Sequence, residues 1–299
     1  MQTKGLLKYH IIGTLWVGQS SIIYRATDVR NQIVAVKMLL PATASHHSAQ
    51  RMMKREARLA LGLEHPNIVR AIEYVRDGAT SALVMECFNA ENLKTHIVRS
   101  SPLIREHAHG IIMQVCDALK YVHERGLVHL DMKPENVLVA DDATTKIIDF
   151  ALARPARRSR LLALFERRRI AGTRPYIAPE TIRKQVPDVR TDIYSLGITI
   201  YEMLAGRPPF ISNDRDDILK KHLLEQPADI RTYRKDVSVK MDELVLHMLS
   251  KRRAQRPETI DEVVRRMKDI QVFDKQGETM DNYAIEDAAA GRDVRKEGK

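Results

Sequence analysis

Lys37 closes an apolar run, Val34-Ala35-Val36-Lys37, where a bare ammonium would be expensive to bury without a partner. Far downstream stands His129-Leu130-Asp131-Met132-Lys133-Pro134-Glu135-Asn136, and after it Asp149-Phe150-Ala151. These segments supply cations, an amide oxygen and two separate carboxylates. Phosphoryl transfer from ATP asks for that set: a positive charge on the phosphates, oxygen ligands for a divalent cation, and a carboxylate facing the incoming hydroxyl. Mg²⁺ prefers hard oxygen ligands and keeps several waters, so a neutral amide and an anionic carboxylate suit it together.

Such groups need a scaffold, and the flanking sequence reads as one. Strand-like stretches occur at Ile11-Ile12, Ser21–Arg25, Ile33–Met38, Val69–Val75 and Ser81–Glu86, with Asp28, Arg30 and Asn31 as turn residues. Between the third and fourth, Arg51–Leu63 predicts a helix, with Met52, Leu59 and Leu63 on one face. His65-Pro66 ends it, because the residue before proline is pushed out of the helical region. After Phe88-Asn89-Ala90 the character turns helical, with helices expected over Ile104–Glu124, Asp192–Leu204, Met241–Ser250 and Glu258–Met267. From Gln276 onward no core-forming period remains, and residues 274–299 are read as a charged, disordered tail.

A further segment, Gly172-Thr173-Arg174-Pro175-Tyr176-Ile177-Ala178-Pro179-Glu180, completes the pattern. From about Tyr9 to about Phe273 the chain resembles a eukaryotic-type (Hanks-type) serine/threonine protein kinase domain of prokaryotic look. The resemblance implies an α+β, two-lobed fold: a five-stranded antiparallel sheet with one helix over residues 1–88, and a mainly helical lobe over 89–273. The latter would contain an activation segment, 149–180.

By the same resemblance, Asp131 is the catalytic base and Lys133 steadies the γ-phosphate. Asn136 and Asp149 hold Mg²⁺, and Lys37 pairs with Glu56 while contacting the phosphates of ATP. Gly18 belongs to the phosphate loop. Ile23, Ala35 and Leu138 sandwich adenine, Met85 is the gatekeeper, and Glu86 to Phe88 form the hinge. Thr173 bridges Asp131 and Lys133, Glu180 pairs with Arg256, and Asp192 receives bonds from the backbone near His129. Lys133 and Thr173 favour the serine/threonine branch. The Ala-Pro-Glu to Arg-Pro arrangement favours protein substrates over metabolites.

Several positions depart from the family pattern. The three loop glycines read Trp16, Gly18 and Ser21, which implies weakened ATP binding, with the Trp16 ring able to point to solvent. Leu130 replaces the arginine that receives an activation-loop phosphate, so activity is expected without that phosphate. Ala151 replaces a glycine, and its Cβ narrows the torsions open to the Asp-Phe turn, so inward and outward switching is expected to be restricted. Ala60 and Ala71 stand at commonly larger positions, which predicts a loosely held helix around Glu56. These departures motivate the rival reading of a pseudokinase scaffold that binds nucleotide or a partner without transfer.

The formal charge of +10 and pI near 9.6 invite a nucleic-acid reading. Eight arginines and one acid, Glu166, fall between Arg154 and Arg174, so much of the excess is local. Aromatics make up 5% and do not interleave with the basic clusters, so no nucleic-acid partner is expected. Within this stretch Arg157–Arg169 reads as a short amphipathic insert: a mobile loop with a few docked leucines, an autoinhibitory packing element, or a dock for acidic substrate segments. Neither His46-His47 nor His107 with His109 has metal-ligating spacing. Cys87 and Cys116 give no disulfide framework, and no apolar run is long enough to span a bilayer or act as a secretory signal. The expectation is a soluble cytoplasmic protein.

Overall fold

The computed structural model describes residues 8–44, 46–77, 80–156 and 172–274. Strands β1 (His10–Val17), β2 (Ser21–Thr27), β3 (Ile33–Leu39), β4 (Ala71–Asp77) and β5 (Thr80–Glu86) form one antiparallel sheet in the order β1-β2-β3-β5-β4. The one-turn α1 (Pro41–Ala44) and the longer α2 (His47–Ala60) connect β3 to β4. Ile23 lies opposite Lys37, Lys37 opposite Leu83, and Ala35 opposite Met85. Side chains alternate along a strand, so these five residues share one face of the sheet. The other face is its own small core of Ala26, Val34, Val36, Val75, Ala82 and Val84.

The second lobe follows with β6 (Glu91–Asn92), α3 (Leu93–Val98), α4 (Pro102–Glu124), β7 (Leu127–Val128), β8 (Val137–Val139), β9 (Thr145–Ile147) and β10 (Arg154–Pro155). It continues with α5 (Pro179–Ile182), α6 (Val189–Ala205), α7 (Arg215–Leu224), α8 (Val239–Met248) and α9 (Ile260–Met267). Helix α6 is the axis of this lobe, with every residue from Thr191 to Leu204 buried. Its start is fixed by a capping box: the Asp188 side chain accepts the Arg190 N–H, and Thr191 answers the Asp188 backbone. Helix α4 ends where Gly126 adopts φ +68°, a conformation that costs glycine little. No helix among the described residues is long and apolar enough to cross a membrane.

The expected architecture is present, with boundary differences that have local causes. Helix α2 begins at His47, four residues before the expected start, and His46 makes no side-chain cap bond that would mark it. It ends at Ala60, because Gly62 and Leu63 tighten into bonds to Leu59 and Ala60. Val69 was expected to begin the fourth strand. Its N–H instead donates to Ile147 of the second lobe, so β4 starts at Ala71. Ala60 packs with Ala57 and Leu83, and Ala71 joins that cluster, so these small residues line the contact between α2 and the sheet. The Arg157–Arg169 insert and the tail beyond Asp274 lie outside the described residues.

One buried histidine sets an acid limit on stability. His222 on α7 is fully buried, bonded through Nδ1 to the Tyr194 hydroxyl at 2.9 Å. Burial, reinforced by the Lys251 charge, lowers its pKa to about 3. The unfolded chain therefore takes up a proton near pH 6.5 that the folded chain refuses, and stability falls by about 1.4 kcal/mol per pH unit between these values. The unfolding free energy from urea titrations is expected to fall from about pH 6.5 to pH 4 with that slope, and His222→Gln to flatten it. An unchanged slope in the variant would assign the effect elsewhere.

Candidate active site

The shared face of the sheet delivers Lys37 to α2. Its Nζ lies 2.6 Å from Glu56 Oε1 and 3.3 Å from Asp149 Oδ1. Lys37 and Glu56 are both buried, at 7% and 4% exposure, so neither would be stable as a lone charge. Burial pulls the lysine pKa down, but Glu56 and Asp149 outweigh it and hold the ammonium above its ordinary value. Asp149 behaves oppositely. Burial pushes its carboxyl up, yet Lys37, the Ala151 N–H and His129 leave it below the ordinary value, hence a carboxylate. Asp149 also adopts φ +68°, uncommon for a residue with a side chain.

The loop after β7 is hung on α6. Asp192, fully buried, accepts the His129 N–H at 2.7 Å, the Leu130 N–H at 2.8 Å and His123 Nε2 at 2.9 Å. Burial would raise its pKa, but His123 and His129 keep it lowered. Leu130 takes φ +67° to point its N–H at this carboxylate, a backbone strain the Asp192 bonds maintain.

Asp131 follows and accepts four hydrogen bonds. Its Oδ1 takes the Thr173 N–H at 3.1 Å and the Thr173 hydroxyl at 3.0 Å. Its Oδ2 takes Lys133 Nζ at 2.7 Å and Asn136 Nδ2 at 3.1 Å. Lys133 Nζ also donates to Thr173 Oγ1 at 2.8 Å, and Asn136 Nδ2 to the Asp131 carbonyl at 2.8 Å. Gly172, at φ +110°, brings Thr173 in against Leu130. A Cβ there would meet the Leu130 carbonyl at 3.3 Å.

Ala35 and Met85 sit side by side on the cleft face, while Leu138 comes from β8 in the second lobe. Glu86 ends β5, and its side chain is occupied by the Arg70 N–H at 2.9 Å and Lys146 Nζ at 2.5 Å. Lys146 also lies 5.2 Å from the Phe88 ring centroid, steadying the link between lobes. The Gly18 N–H donates to Ser21 O at 2.8 Å, closing the β1–β2 hairpin. Trp16 is half exposed and folds its ring back over Gly18. A Cβ on Gly18 would lie 1.9 Å from the indole, so the ring covers the retained glycine instead of pointing to solvent.

At the far end of this segment, Glu180 and Arg256 form a two-pronged pair at 2.8 and 2.9 Å, as the motif predicts. Lys37, Glu56, Asp149, Asp131, Lys133, Asn136 and Glu86 are joined by side-chain polar contacts to one another or to the shell that holds them. Ile23 and Ala35 lie on the sheet face that carries Lys37, Gly18 lies in the β1–β2 turn, Phe88 follows β5, and Leu138 lies on β8.

The sequence model of the protein kinase domain matches residues 9–267. The chain belongs to the protein kinase domain family. Over 262 residues it is 32% identical to the serine/threonine-protein kinase PknB of Mycobacterium leprae, covering 86% of this chain and 42% of that protein. A probable serine/threonine-protein kinase of Corynebacterium efficiens is also 32% identical, over 86% and 40%. One of Clostridium acetobutylicum is 28% identical, over 88% and 40%. The chain thus spans about two fifths of the length of these curated relatives.

Three contributors to this kinase domain's site escaped the sequence reading. They are His123, which supports Asp192, Lys146, which holds Glu86, and Arg55, whose guanidinium reaches Ala153 O at 2.6 Å. A side chain bonding a distant backbone carbonyl leaves no spacing signature. Only adjacency to Glu56 could have drawn attention to Arg55.

Proposed function

We propose that this domain transfers the γ-phosphoryl group of ATP to serine or threonine hydroxyls of proteins, using Mg²⁺. The observation that carries this is the closed arrangement of both halves: Lys37 on Glu56 and Asp149, and Asp131 on Lys133, Asn136 and Thr173. Asp131, oriented by four donors, is aimed to accept the proton of an incoming hydroxyl, while Lys133 stands beside it to meet charge growing on the transferred group. Asn136 has its amide nitrogen spent on Asp131, leaving its oxygen for a cation. Asp149 is kept ionised, so the donor set fits Mg²⁺. When bound, that ion would neutralise phosphate charge during transfer. Adenine would lie between Ile23, Ala35 and Leu138, with the Glu86–Phe88 backbone as its edge partner.

Protein substrates suit the Glu180–Arg256 platform, and acidic segments suit the overall positive charge. The free thiols of Cys87 and Cys116 suit a reducing compartment such as the cytoplasm, and we place the lobe division after Phe88. The scaffold reading draws on Leu130, Ala151 and the sparse glycines, but nothing in the closed arrangement favours it. Purified protein with labelled ATP, Mg²⁺ and a mixed protein substrate is expected to label serine and threonine, and Asp149→Asn to abolish labelling. Folded parent protein giving no label would overturn the assignment.

Two departures yield predictions of their own. With the indole lying on Gly18, the loop cannot lay its backbone freely on phosphates, so Trp16→Gly is expected to bind ATP about three- to tenfold more tightly by calorimetry, within the range of one freed backbone contact. An unchanged dissociation constant would sink that idea. Leu130 is buried and has no cation to offer a phosphate, so phosphatase-treated enzyme is expected to retain its rate.

A further inference from the structure

We propose that Arg55 is a positioning residue for the turn that carries Asp149, gripping the activation segment from α2 without any phosphate. This rests on the reading of Asp149 as a metal ligand in the transfer site. The turn is short and tightly bonded. The Ala151 N–H donates to Asp149 Oδ1 at 3.2 Å, and the Ala153 N–H to Phe150 O at 3.1 Å. Arg55 Nη2 then donates to Ala153 O at 2.6 Å, and Ala153 is fully buried. At the other end of the same five residues, Asp149 is reached by Lys37, which is held by Glu56. Two consecutive residues of α2 therefore hold the two ends of the turn, one through an ion-pair relay and one through a charge-assisted hydrogen bond.

The surroundings make that grip consequential. Asp149 sits at φ +68°, a conformation that persists where neighbours over-determine it. Helix α2 has no side-chain cap bond at His46 and no acid in its first turn, so no side-chain cap fixes its N-terminal end. Its placement depends on Met53, Ala57 and Ala60 in the core and on the contacts of residues 55 and 56. Beyond the turn the chain is already tied to the catalytic loop side, with Arg154 opposite Val128, Pro155 opposite Leu127, and the Ala156 N–H on Gly126 O at 2.7 Å. Leu130, buried with its N–H on Asp192, has no side-chain donor for this segment. Arg55 reaches it from α2 with a charged donor.

The test compares Arg55→Ala and Arg55→Lys with the parent in the full chain. Arg55→Ala is expected to lower kcat about tenfold, the worth of one charge-assisted hydrogen bond, and to leave KM for the protein substrate unchanged. Arg55→Lys, which keeps a donor, is expected to return to within about threefold of the parent. Amide hydrogen exchange supplies a readout independent of activity. In Arg55→Ala the amides of Ala151 and Ala153 and of α2 should exchange faster, with those of α6 unchanged. Parent-like exchange at Ala151 and Ala153 would overturn the grip, as would faster exchange spreading into α6, or a loss of rate that lysine does not rescue. A parent protein without transfer activity would fail the functional reading alone, since the exchange comparison still decides the grip.

Discussion

Asp131→Asn is expected to lower the phosphoryl-transfer rate by about 10²- to 10⁴-fold, the range of a lost general base, while KM for ATP changes by less than about twofold. The amide keeps the size of the carboxylate but cannot take up the hydroxyl proton. It also cannot satisfy its neighbours. Each oxygen of Asp131 accepts two donors, from Thr173 on one side and from Lys133 and Asn136 on the other. Wherever the asparagine NH₂ points, it faces two donors and breaks one half of the network. The loss should therefore appear in single-turnover rates with bound nucleotide, not in nucleotide affinity, because none of these contacts includes Lys37 or Glu56. A rate within about threefold of the parent would remove Asp131 from the base role. Thr173→Ser, which keeps the bridging hydroxyl, serves as the matched mild variant.

That network was largely legible in the sequence, because chemistry constrains residue type and spacing together. Asp131, Lys133 and Asn136 fall within one short string, and Thr173 is named by the motif around Ala178-Pro179-Glu180. Glu56 could be chosen because helix α2 faces the same cleft as Lys37. Helix boundaries were less legible where the chain lacks a signal. His46 offers no cap bond, so the first turn of α2 could not be read, whereas Asp188 and Thr191 supply one at α6. Strands β6 to β10 are two or three residues long, too short for an alternating pattern to exist. Positive φ at Leu130 and Asp149 is imposed by tertiary bonds, not by residue type, and the fold of the Trp16 ring onto Gly18 depends on a hairpin geometry no spacing encodes. Arg55 shows the same limit at the site itself, since its partner is a carbonyl that any residue at position 153 would present.

The largest stability effect is expected at Arg256. Its guanidinium donates to both Glu180 oxygens, to Ser250 O at 2.8 Å and to Arg190 O at 3.0 Å, and it lies 4.7 Å from the Tyr194 ring centroid. Thr191 Oγ1 adds a bond to Glu180 at 2.8 Å. Both partners are almost wholly buried, at 3% and 2% exposure, so solvent cannot replace a missing one. Arg256→Ala leaves Glu180 charged with a single side-chain donor, and two carbonyls lose theirs. The expected cost is about 3–5 kcal/mol, or roughly 6–20 °C in Tm for a domain of this size. The sign of the double variant is the sharper test. Glu180→Leu with Arg256→Met removes both charges and refills the volume, so it should recover much of the loss, because the penalty is that of an orphaned charge more than of a missing attraction. If the double variant is as unstable as the two single changes added together, the pair contributes through its full bond network, and the orphaned-charge account is wrong. Since α6 also carries Asp192, the single variant should lose transfer activity at temperatures below its own unfolding, and the recovered double variant should regain it.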